Sequence, residues 1–404
     1  MTSAPLPYSA LLPLEGVMRD YSWGSPTAIP QLLGRPPTGA PAAELWLGAH
    51  PRGPATIVGT HRDLASVIAA NPEQLLGPDI LAQFGAELPF LMKVIAPAKA
   101  LSIQVHPTRE QAQAGFAAEE ARGIPRTDPR RNYPDPHHKP EMVCALTPFE
   151  AFCGFRSTSD TLRFFESLAV PELAPFEAVL SAADGLRRTF ALLLDQEPDR
   201  ARAIVDGLTR GCERLSAAGG EWSENANAIV AVAHEFPSDI GVALVALLDY
   251  VRLAPKDVVF VKPGTVHCYL SGLAVEVMAS SDNVLRGGLT PKHVDVPELL
   301  AVANFSATPH PVRGPYVVDE ESWYDPEIPD FQLSIHQFSD LTRIPPAGPQ
   351  LLLCTQGEAY ITVGREHRSL PKGAAAFVAA GHALQLVGRA TVFRATTGIP
   401  LAVT

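Results

Sequence analysis

The chain has 404 residues, of which 46% are hydrophobic and 19% are charged, and its formal net charge at pH 7 is −11. A chain of this length is too long for one compact core and is expected to divide into two or three domains. The negative charge argues against nucleic acid and anionic membrane surfaces as partners, because both attract basic patches.

Compartment signals are few. The N-terminal stretch MTSAPLPYSALLPLEG has no basic region and is interrupted by three prolines, so it is not expected to be a signal peptide. The most apolar later run, 240–251, contains Asp249 and is shorter than the roughly 20 residues that a bilayer crossing needs. Five cysteines, an odd number with no CxxC pair, favour a reducing cytoplasm.

The first 156 residues are predicted to form mostly strands and loops, because their short apolar stretches are punctuated by Pro and Gly. Trp46 lies in an alternating strand and is expected in the core, whereas Trp23 lies in a predicted loop and is either a core aromatic or a stacking platform for a sugar. Glu44 is either the partner of a cation in a site or a solvated carboxylate.

Two short segments of this region carry paired polar residues. Gln104 and His106 lie two apart on a predicted strand, so both face one side of it. Lys139 and Glu141 have the same spacing in a segment that Pro140 keeps extended. Each pair therefore presents two polar side chains to one face of a sheet.

The connection between these pairs begins with a predicted helix at Thr108 and continues as an Arg-rich loop. Arg126, Arg130 and Arg131 are expected to be solvated there. The alternative is a flexible cover that helps to collect an anionic substrate.

Residues 157–253 have a helical pattern. Apolar side chains recur every three or four positions, as at Ile204, Leu208 and Cys212, and the run 240–251 is predicted to be one buried helix. This region is predicted to be a helical domain inserted into the strand-rich one. His234 lies in it and is expected to be structural.

Strands return with a predicted strand at Val258–Val261, followed by a turn and a second predicted strand at Val266–Leu270. Alternation along the second strand sends His267 and Tyr269 to one face and Cys268 to the other. Alone, a histidine on an apolar strand is more often a hydrogen-bonded core residue than a ligand. Together with Gln104, His106 and Glu141, however, His267 completes a mixed N/O set that suits a divalent ion such as zinc.

The region after Pro309 begins as a Pro-rich linker and continues as short strands at regular spacing, predicted at 331–338, 351–355, 360–363, 375–378 and 390–394. Such spacing favours a β-sandwich or jelly roll. The strand at 351–354 has no facing pair of ligands, so no metal is expected there.

Long motifs distributed along the chain resemble those of the type I phosphomannose isomerases, zinc enzymes of the cupin class. The matching stretches are Tyr21–Gly24, Ala43–Pro51, Leu101–Pro107, Tyr133–Asp135, His138–Met142, His267–Glu276, Ser281–Arg286 and Leu289–Lys292. The sequence departs from the usual family pattern at His137, Cys268 and Gly287. None of these departures removes a candidate ligand.

The resemblance implies one zinc ion per chain, held by Gln104, His106, Glu141 and His267, and a catalytic role for Arg286. It also implies roles around the substrate for a further set of residues. Lys139, Glu276 and Asp282 are candidates for the proton-shuttling base, and Ser102, Lys93, Lys292 and Trp23 are candidates for substrate binding.

The implied reaction interconverts D-mannose 6-phosphate and D-fructose 6-phosphate through a cis-enediol, and it would supply GDP-mannose synthesis or mannose use. Negative charge that develops on the substrate oxygens needs a Lewis acid and a fixed cation, and the phosphate needs cationic donors. The alternatives are a cupin metal-dependent oxygenase and a catalytically inactive cupin that binds sugar phosphates.

The expected architecture is mainly β with an α-helical insert, comprising two cupin (jelly-roll) modules and a helical domain. The predicted domains are a discontinuous catalytic cupin (1–156 and 254–310), the inserted helical domain (157–253) and a C-terminal cupin-like β domain without metal (311–404). The expected partner is a small phosphorylated sugar, with no nucleic acid, no membrane and no obligate protein partner, in the cytoplasm.

Overall fold

The computed structural model describes residues 9–307, 312, 314–318 and 321–399. Residues 1–8 of the N-terminal segment and Pro309 of the predicted linker lie outside this part of the chain. The described strands are β1 Leu11–Glu15, β2 Val17–Arg19, β3 Glu44–Leu47, β4 Thr56–Ile57, β5 Phe90–Ile95, β6 Ile103–Val105, β7 Glu141–Ala145, β8 Phe149–Phe155, β9 Leu248–Leu253, β10 Val258–Val261, β11 His267–Ser271, β12 Ala274–Ala279, β13 Leu285–Gly288, β14 Tyr316–Val318, β15 Glu321–Tyr324, β16 Gln332–Phe338, β17 Leu341–Ile344, β18 Gln350–Val363, β19 Glu366–Pro371, β20 Ala375–Val378 and β21 Leu384–Thr396.

The helices are concentrated between β8 and β9. In chain order they are α1 Ala28–Leu32, α2 Leu64–Ala70, α3 Pro72–Leu76, α4 Pro78–Phe84, α5 Arg109–Ala121, α6 Thr158–Leu168, α7 Ala174–Leu180, α8 Gly185–Leu194, α9 Pro198–Ala218, α10 Ser223–Glu235, α11 Gly241–Val245 and α12 Val296–Val302, with a 3-10 turn at Pro171–Leu173. Among the described residues, no helix combines the length and hydrophobicity needed to cross a membrane. The expectation of a mainly β protein with a helical part is confirmed.

Three antiparallel sheets organise the chain. A six-stranded sheet has the order β10-β7-β12-β5-β3-β2, and a five-stranded sheet has the order β13-β6-β11-β8-β9. A ten-stranded sheet is formed mainly by the C-terminal strands. This sheet also includes β1, which pairs with β20 over Leu11–Leu14. The start of the described chain is thus joined to its C-terminal part by backbone hydrogen bonds.

Alternation along the strands divides the apolar core into layers. One face of the six-stranded sheet, including Met92 and Val94, shares a core with the C-terminal strands. One face of the five-stranded sheet, including Cys268 and Leu270, packs with the helices between β8 and β9. A smaller core, which includes Val143 and Tyr269, forms from side chains of both sheets. Polar side chains on the facing sides of these sheets are therefore brought together.

Most predicted elements are present, but two assignments were wrong. The run 240–251 is not one helix: α11 ends at Val245, and β9 then pairs with β8. The predicted strands at 351–355 and 360–363 are one continuous strand, β18, with a register shift between Cys354 and Gln356. Thr355 is the extra residue at this shift, so the two predicted strands are joined through a bulge.

The Arg-rich connection is more ordered than predicted. Thr108 caps α5 through a capping box with Gln111. Arg126 and Arg130 are exposed, as predicted, but Arg131 is buried. Its guanidinium lies 3.4 Å from Glu119 and 2.7 Å from Glu120, so the solvated assignment of Arg131 was wrong. A buried arginine requires such carboxylate partners, and sequence spacing does not reveal them.

Candidate metal centre and adjoining cavity

Three buried side chains from three strands or strand ends converge between the two smaller sheets. His106 Nε2 lies 3.1 Å from Glu141 Oε1, and His267 Nε2 lies 3.5 Å from Glu141 Oε2. One ligand-type atom from each of the three residues lies within 4.8 Å of the other two. Three residues from distant parts of the sequence, at positions 106, 141 and 267, therefore form one compact donor set.

Backbone carbonyls orient both imidazole rings. Nδ1 of His106 lies 2.9 Å from the carbonyl oxygen of Asn283, and Nδ1 of His267 lies 3.0 Å from that of Thr265. Each Nδ1–H donates to its carbonyl, which leaves the Nε2 lone pair directed at the centre. The turn before His267 includes Gly264, whose φ of +84° suits glycine and whose N–H donates to the His106 carbonyl.

The polar and charged groups around Glu141 keep it ionised. Burial alone would raise its pKa, but His106 and Lys139 hold the pKa well below its usual range. Nζ of Lys139 lies 3.3 Å from Oε1, and the Tyr269 hydroxyl donates to Oε2 at 3.2 Å. Burial lowers the pKa of His106 to about 4, so the ring is neutral at pH 7. An ionised carboxylate and a neutral imidazole are the forms that ligate metals.

These residues fit a divalent metal ion. Nε2 of His106 is buried and has no hydrogen-bond partner among the described residues, which a metal bond would satisfy. Gln104 is directly opposite His267 in the β6–β11 ladder and opposite Arg286 in the β6–β13 ladder. His106 follows β6 directly and lies two residues after Gln104. Two imidazoles, one carboxylate and one amide oxygen suit zinc.

The six-stranded sheet carries a group of three buried charged residues, Glu44, Lys93 and Glu276. Lys93 on β5 is directly opposite Glu276 on β12, and its Nζ lies 3.1 Å from Oε2 of Glu276 and 3.6 Å from Oε1 of Glu44. Burial would lower the pKa of Lys93, but Glu276 and Glu44 raise it, so the lysine is protonated. Glu44 also accepts from Trp46 Nε1 at 2.7 Å. The alternative in which Glu44 pairs with a cation of the site is thus the correct one.

A cavity of about 740 Å³ adjoins the metal centre. Eight of the predicted site residues line it: Trp23, Lys93, Ser102, Gln104, Lys139, Asp282, Arg286 and Lys292. Glu276 is not among these residues; its carboxylate is buried and lies beside Nζ of Lys93. Trp46 is buried, as predicted, yet it also lines this cavity.

Some residues that line the cavity were not predicted from the sequence to belong to the site. Arg52 lines the cavity, and its Nη1 lies 3.3 Å from Oδ1 of Asp282. His234 and Glu235, at the end of α10, also line the cavity, so His234, which was expected from sequence to be structural, adjoins the site. Glu235 accepts from the Ala100 N–H at 2.6 Å and joins the helical region to the chain that leads to β6. The only sequence signal for His234 and Glu235 was polarity at a helix end.

Positive charge is concentrated at this cavity although the whole chain is acidic. Arg286 and Lys292 have no carboxylate within 4 Å in the described part of the chain. Burial lowers the pKa of both, and the charge of Arg52 lowers both further. Unneutralised cations held close together favour an anionic ligand, because that ligand would relieve their mutual repulsion.

Comparison with protein families gives one match. Residues 11–158 match the model described as "Phosphomannose isomerase type I, catalytic domain". This range contains Gln104, His106 and Glu141 but ends before His267.

Individual relatives match over nearly the whole chain. The mannose-6-phosphate isomerase of Escherichia coli (strain K12) is 40% identical over 375 residues, which covers 90% of this chain and 93% of the relative. The mannose-6-phosphate isomerase of Bos taurus is 32% identical, covering 93% and 95%. The apo mannose 6-phosphate isomerase structure from Salmonella typhimurium superposes with a TM-score of 0.89 at 35% identity, covering 97% of this chain and all of the other. A structure described as the holo, zinc-bound enzyme gives the same values.

Proposed function

This chain belongs to the type I phosphomannose isomerase family, and from that membership we propose that it is a zinc-dependent isomerase that interconverts D-mannose 6-phosphate and D-fructose 6-phosphate. The observation that carries the proposal is the convergence of His106, Glu141 and His267 beside a cavity rich in cations. Membership alone gives the reaction. The geometry supplies the groups that the reaction needs.

His106, Glu141, His267 and Gln104 would hold the zinc ion. When bound, zinc supplies a Lewis acid that polarises a substrate oxygen. The two backbone-fixed imidazoles and the ionised carboxylate need little rearrangement to bind it, because their hydrogen bonds already orient them. We assign one ion to each chain.

The cations of the cavity stabilise negative charge on the substrate. Arg286 is opposite Gln104 in the sheet, and we assign it to the charge that develops on the enediol oxygens. Lys292, Arg52 and Lys99 also line the cavity and can donate to a phosphate. Ser102 and Trp23 line the same space and can contact the sugar hydroxyls and ring face.

The proton must move between C1 and C2 of the open-chain sugar, so a base must reach the cavity. Lys139 and Asp282 both line it, whereas Glu276 is buried against Lys93. We therefore place the base at Lys139 or Asp282 and give Glu276 the role of holding Lys93. Lys139 is close to Glu141, and Asp282 is held by Arg52.

Neither alternative function is favoured. The relatives and structures described above are named as isomerases, and one of the structures holds zinc. An oxygenase would instead need a redox-active metal and bound dioxygen. An inactive binding protein would retain the metal and sugar phosphate but show no turnover.

The test is a coupled assay of the purified protein with mannose 6-phosphate, carried out before chelation, after chelation and after zinc is returned. Activity that disappears with the chelator and returns with zinc supports the proposal. Absence of turnover in protein that holds one zinc per chain would overturn it. Dependence on dioxygen would instead favour the oxygenase.

We further propose the division into a discontinuous catalytic cupin, an inserted helical domain and a C-terminal cupin-like domain, and a cytoplasmic location without an obligate protein partner. Support for the division comes from the separate apolar clusters on the outer faces of the two smaller sheets. The location is supported by the five free cysteines, all of which are buried.

A further inference from the structure

We propose that Asp330, which lies in the C-terminal part of the chain, is a positioning residue of the active site and acts through His138 on Lys139 and Glu141. This inference rests on the function proposed above and assigns a role in it to a region outside the matched catalytic segment. Asp330 lies more than 170 residues beyond the end of that segment.

Side chains from two separate segments, His138 and Arg109, meet at Asp330. Its Oδ1 lies 2.8 Å from Nε2 of His138 and 3.4 Å from Nη2 of Arg109, and this Nη2 lies 2.7 Å from Nε2 of His138. Arg109 begins α5, which directly follows the strand carrying His106. The carboxylate therefore links both ligand-bearing segments of the catalytic region to the C-terminal part.

Asp330 is buried, and it lies next to a strand that is fully paired. Asp330 is 3% exposed, and the next residue, Phe331, is fully buried. Strand β16 begins one residue later and pairs with β21 along its full length. Oδ2 of Asp330 has no hydrogen-bond partner among the described residues. A buried carboxylate with one free oxygen is expensive to maintain, so its contacts with His138 and Arg109 must offset that cost.

The loop that carries His138 is held on its other side as well. Asn283 Nδ2 donates to the His137 carbonyl at 2.7 Å, and Ser281 Oγ donates to Asp135 Oδ1 at 2.8 Å. Asn283 also supplies the carbonyl that orients His106. Hydrogen bonds thus hold the loop on two sides, to Asn283 and Ser281 near the metal centre and to Asp330.

The path from His138 to the centre is short and stiff. Only Lys139 and Pro140 separate His138 from Glu141. Proline fixes its own φ and keeps the preceding residue extended. A shift of His138 is therefore transmitted to Lys139 Nζ and to the Glu141 carboxylate, which are 3.3 Å apart. Displacements of about 1 Å at reacting groups can reduce rates by a factor of about 10².

The test compares Asp330→Ala, His138→Ala and the double variant in zinc-saturated enzyme. In Asp330→Ala we expect kcat to fall at least about tenfold, with the KM for mannose 6-phosphate changed by less than about threefold. The zinc dissociation constant, measured by competition with a chelator, should rise about tenfold because Glu141 is less well placed. The double variant should be no worse than His138→Ala alone, because Asp330 acts through that residue.

Two further variants separate positioning from folding. Asp330→Asn keeps the acceptor oxygen and the volume, so it should restore kcat and zinc affinity to within about threefold of the wild type. Asp340→Asn removes the same charge at an exposed position of the C-terminal part and should have no effect. If Asp330→Ala does not fold, Asp330→Leu fills the same volume without an acceptor and is measured in its place.

The proposal is overturned if Asp330→Ala, or Asp330→Leu where it is measured in its place, keeps both kcat and zinc affinity within twofold of the wild type. It is also overturned if the losses of the two single variants multiply in the double variant, because independent effects indicate a merely structural role for Asp330. Absence of turnover in the wild type would count against the isomerase function instead. The zinc affinities of the same variants would still test the positioning role.

Discussion

Lys93 and Glu276 form a directly opposed pair on β5 and β12, buried on the side of the sheet that faces the metal centre, with Nζ 3.1 Å from Oε2. Glu276 is therefore the counter-ion of Lys93, and Lys93 is the member of the pair that lines the cavity. This relationship joins a residue expected from sequence to be a candidate base, Glu276, to one expected to bind substrate, Lys93.

The first prediction concerns this pair. Glu276→Gln should lower the free energy of unfolding by about 3 kcal/mol, because it leaves a buried lysine without its nearer carboxylate. It should also reduce kcat without loss of zinc. Denaturant unfolding at fixed zinc concentration and metal analysis measure the two effects. Glu15→Gln, at an exposed carboxylate, is the control and should leave the unfolding midpoint unchanged. An unaltered midpoint in Glu276→Gln would contradict the assigned role.

The second prediction concerns the ligands. Glu141→Ala and His267→Ala should each lose zinc and activity together, because each removes a donor from the set that the backbone has oriented. Zinc per chain after gel filtration and turnover in the same sample provide the measurement. Glu150→Ala, in the same region but away from the centre, should keep both zinc and activity. Full zinc content in either variant would show that the substituted residue is not a zinc ligand.

The third prediction concerns Arg286. Arg286→Ala should keep zinc but lower kcat by a factor of about 10² to 10³, as expected for loss of a fixed donor to developing charge. Steady-state kinetics at saturating zinc test this. Arg35→Ala removes an exposed arginine from the same chain and should leave kcat unchanged. Near-normal turnover of Arg286→Ala would show that another cation carries this role.

The fourth prediction follows from the pKa values of the thiols. Burial raises the pKa of Cys144 and Cys212 to about 12 and that of Cys354 to about 11, and it also raises those of Cys153 and Cys268. A raised thiol pKa means that the reactive thiolate is scarce below it, so labelling should stay negligible from pH 7 to 9. A disulfide reagent should find five thiols only after denaturation. Rapid labelling of the native protein at pH 8 would show that a thiol is accessible.

The fifth prediction uses two neighbouring arginines. Arg131→Ala should destabilise the protein by about 3 kcal/mol, because it leaves the buried Glu119 without its cation. Arg130→Ala is the matched control, since that side chain is exposed and pairs only with Asp128 among the described residues. Its unfolding midpoint should not change. Equal unfolding midpoints for the two variants would mean that the ion pair between Arg131 and Glu119 does not stabilise the protein.

Much of the metal centre could be predicted because strand alternation is a local property. His267 and Tyr269 share a face of β11, as two-residue spacing requires, and both lie next to Glu141. Elements whose pattern was ambiguous were less predictable. The apolar run 240–251 suits a buried helix or a buried strand equally well, and only pairing with β8 decided that its second half is β9.

By itself, the sequence determined the family, the candidate ligands, the mainly β character and the helical insert, because these follow from motifs and from short-range periodicity. Tertiary structure alone decided that Glu276 pairs with Lys93, that Arg52 and His234 line the cavity, that β1 joins the C-terminal sheet and that Asp330 contacts His138. These relationships join residues that are far apart in the chain. They depend on how three sheets and a helical region bury their apolar faces together, and that free energy belongs to the whole fold rather than to any one segment.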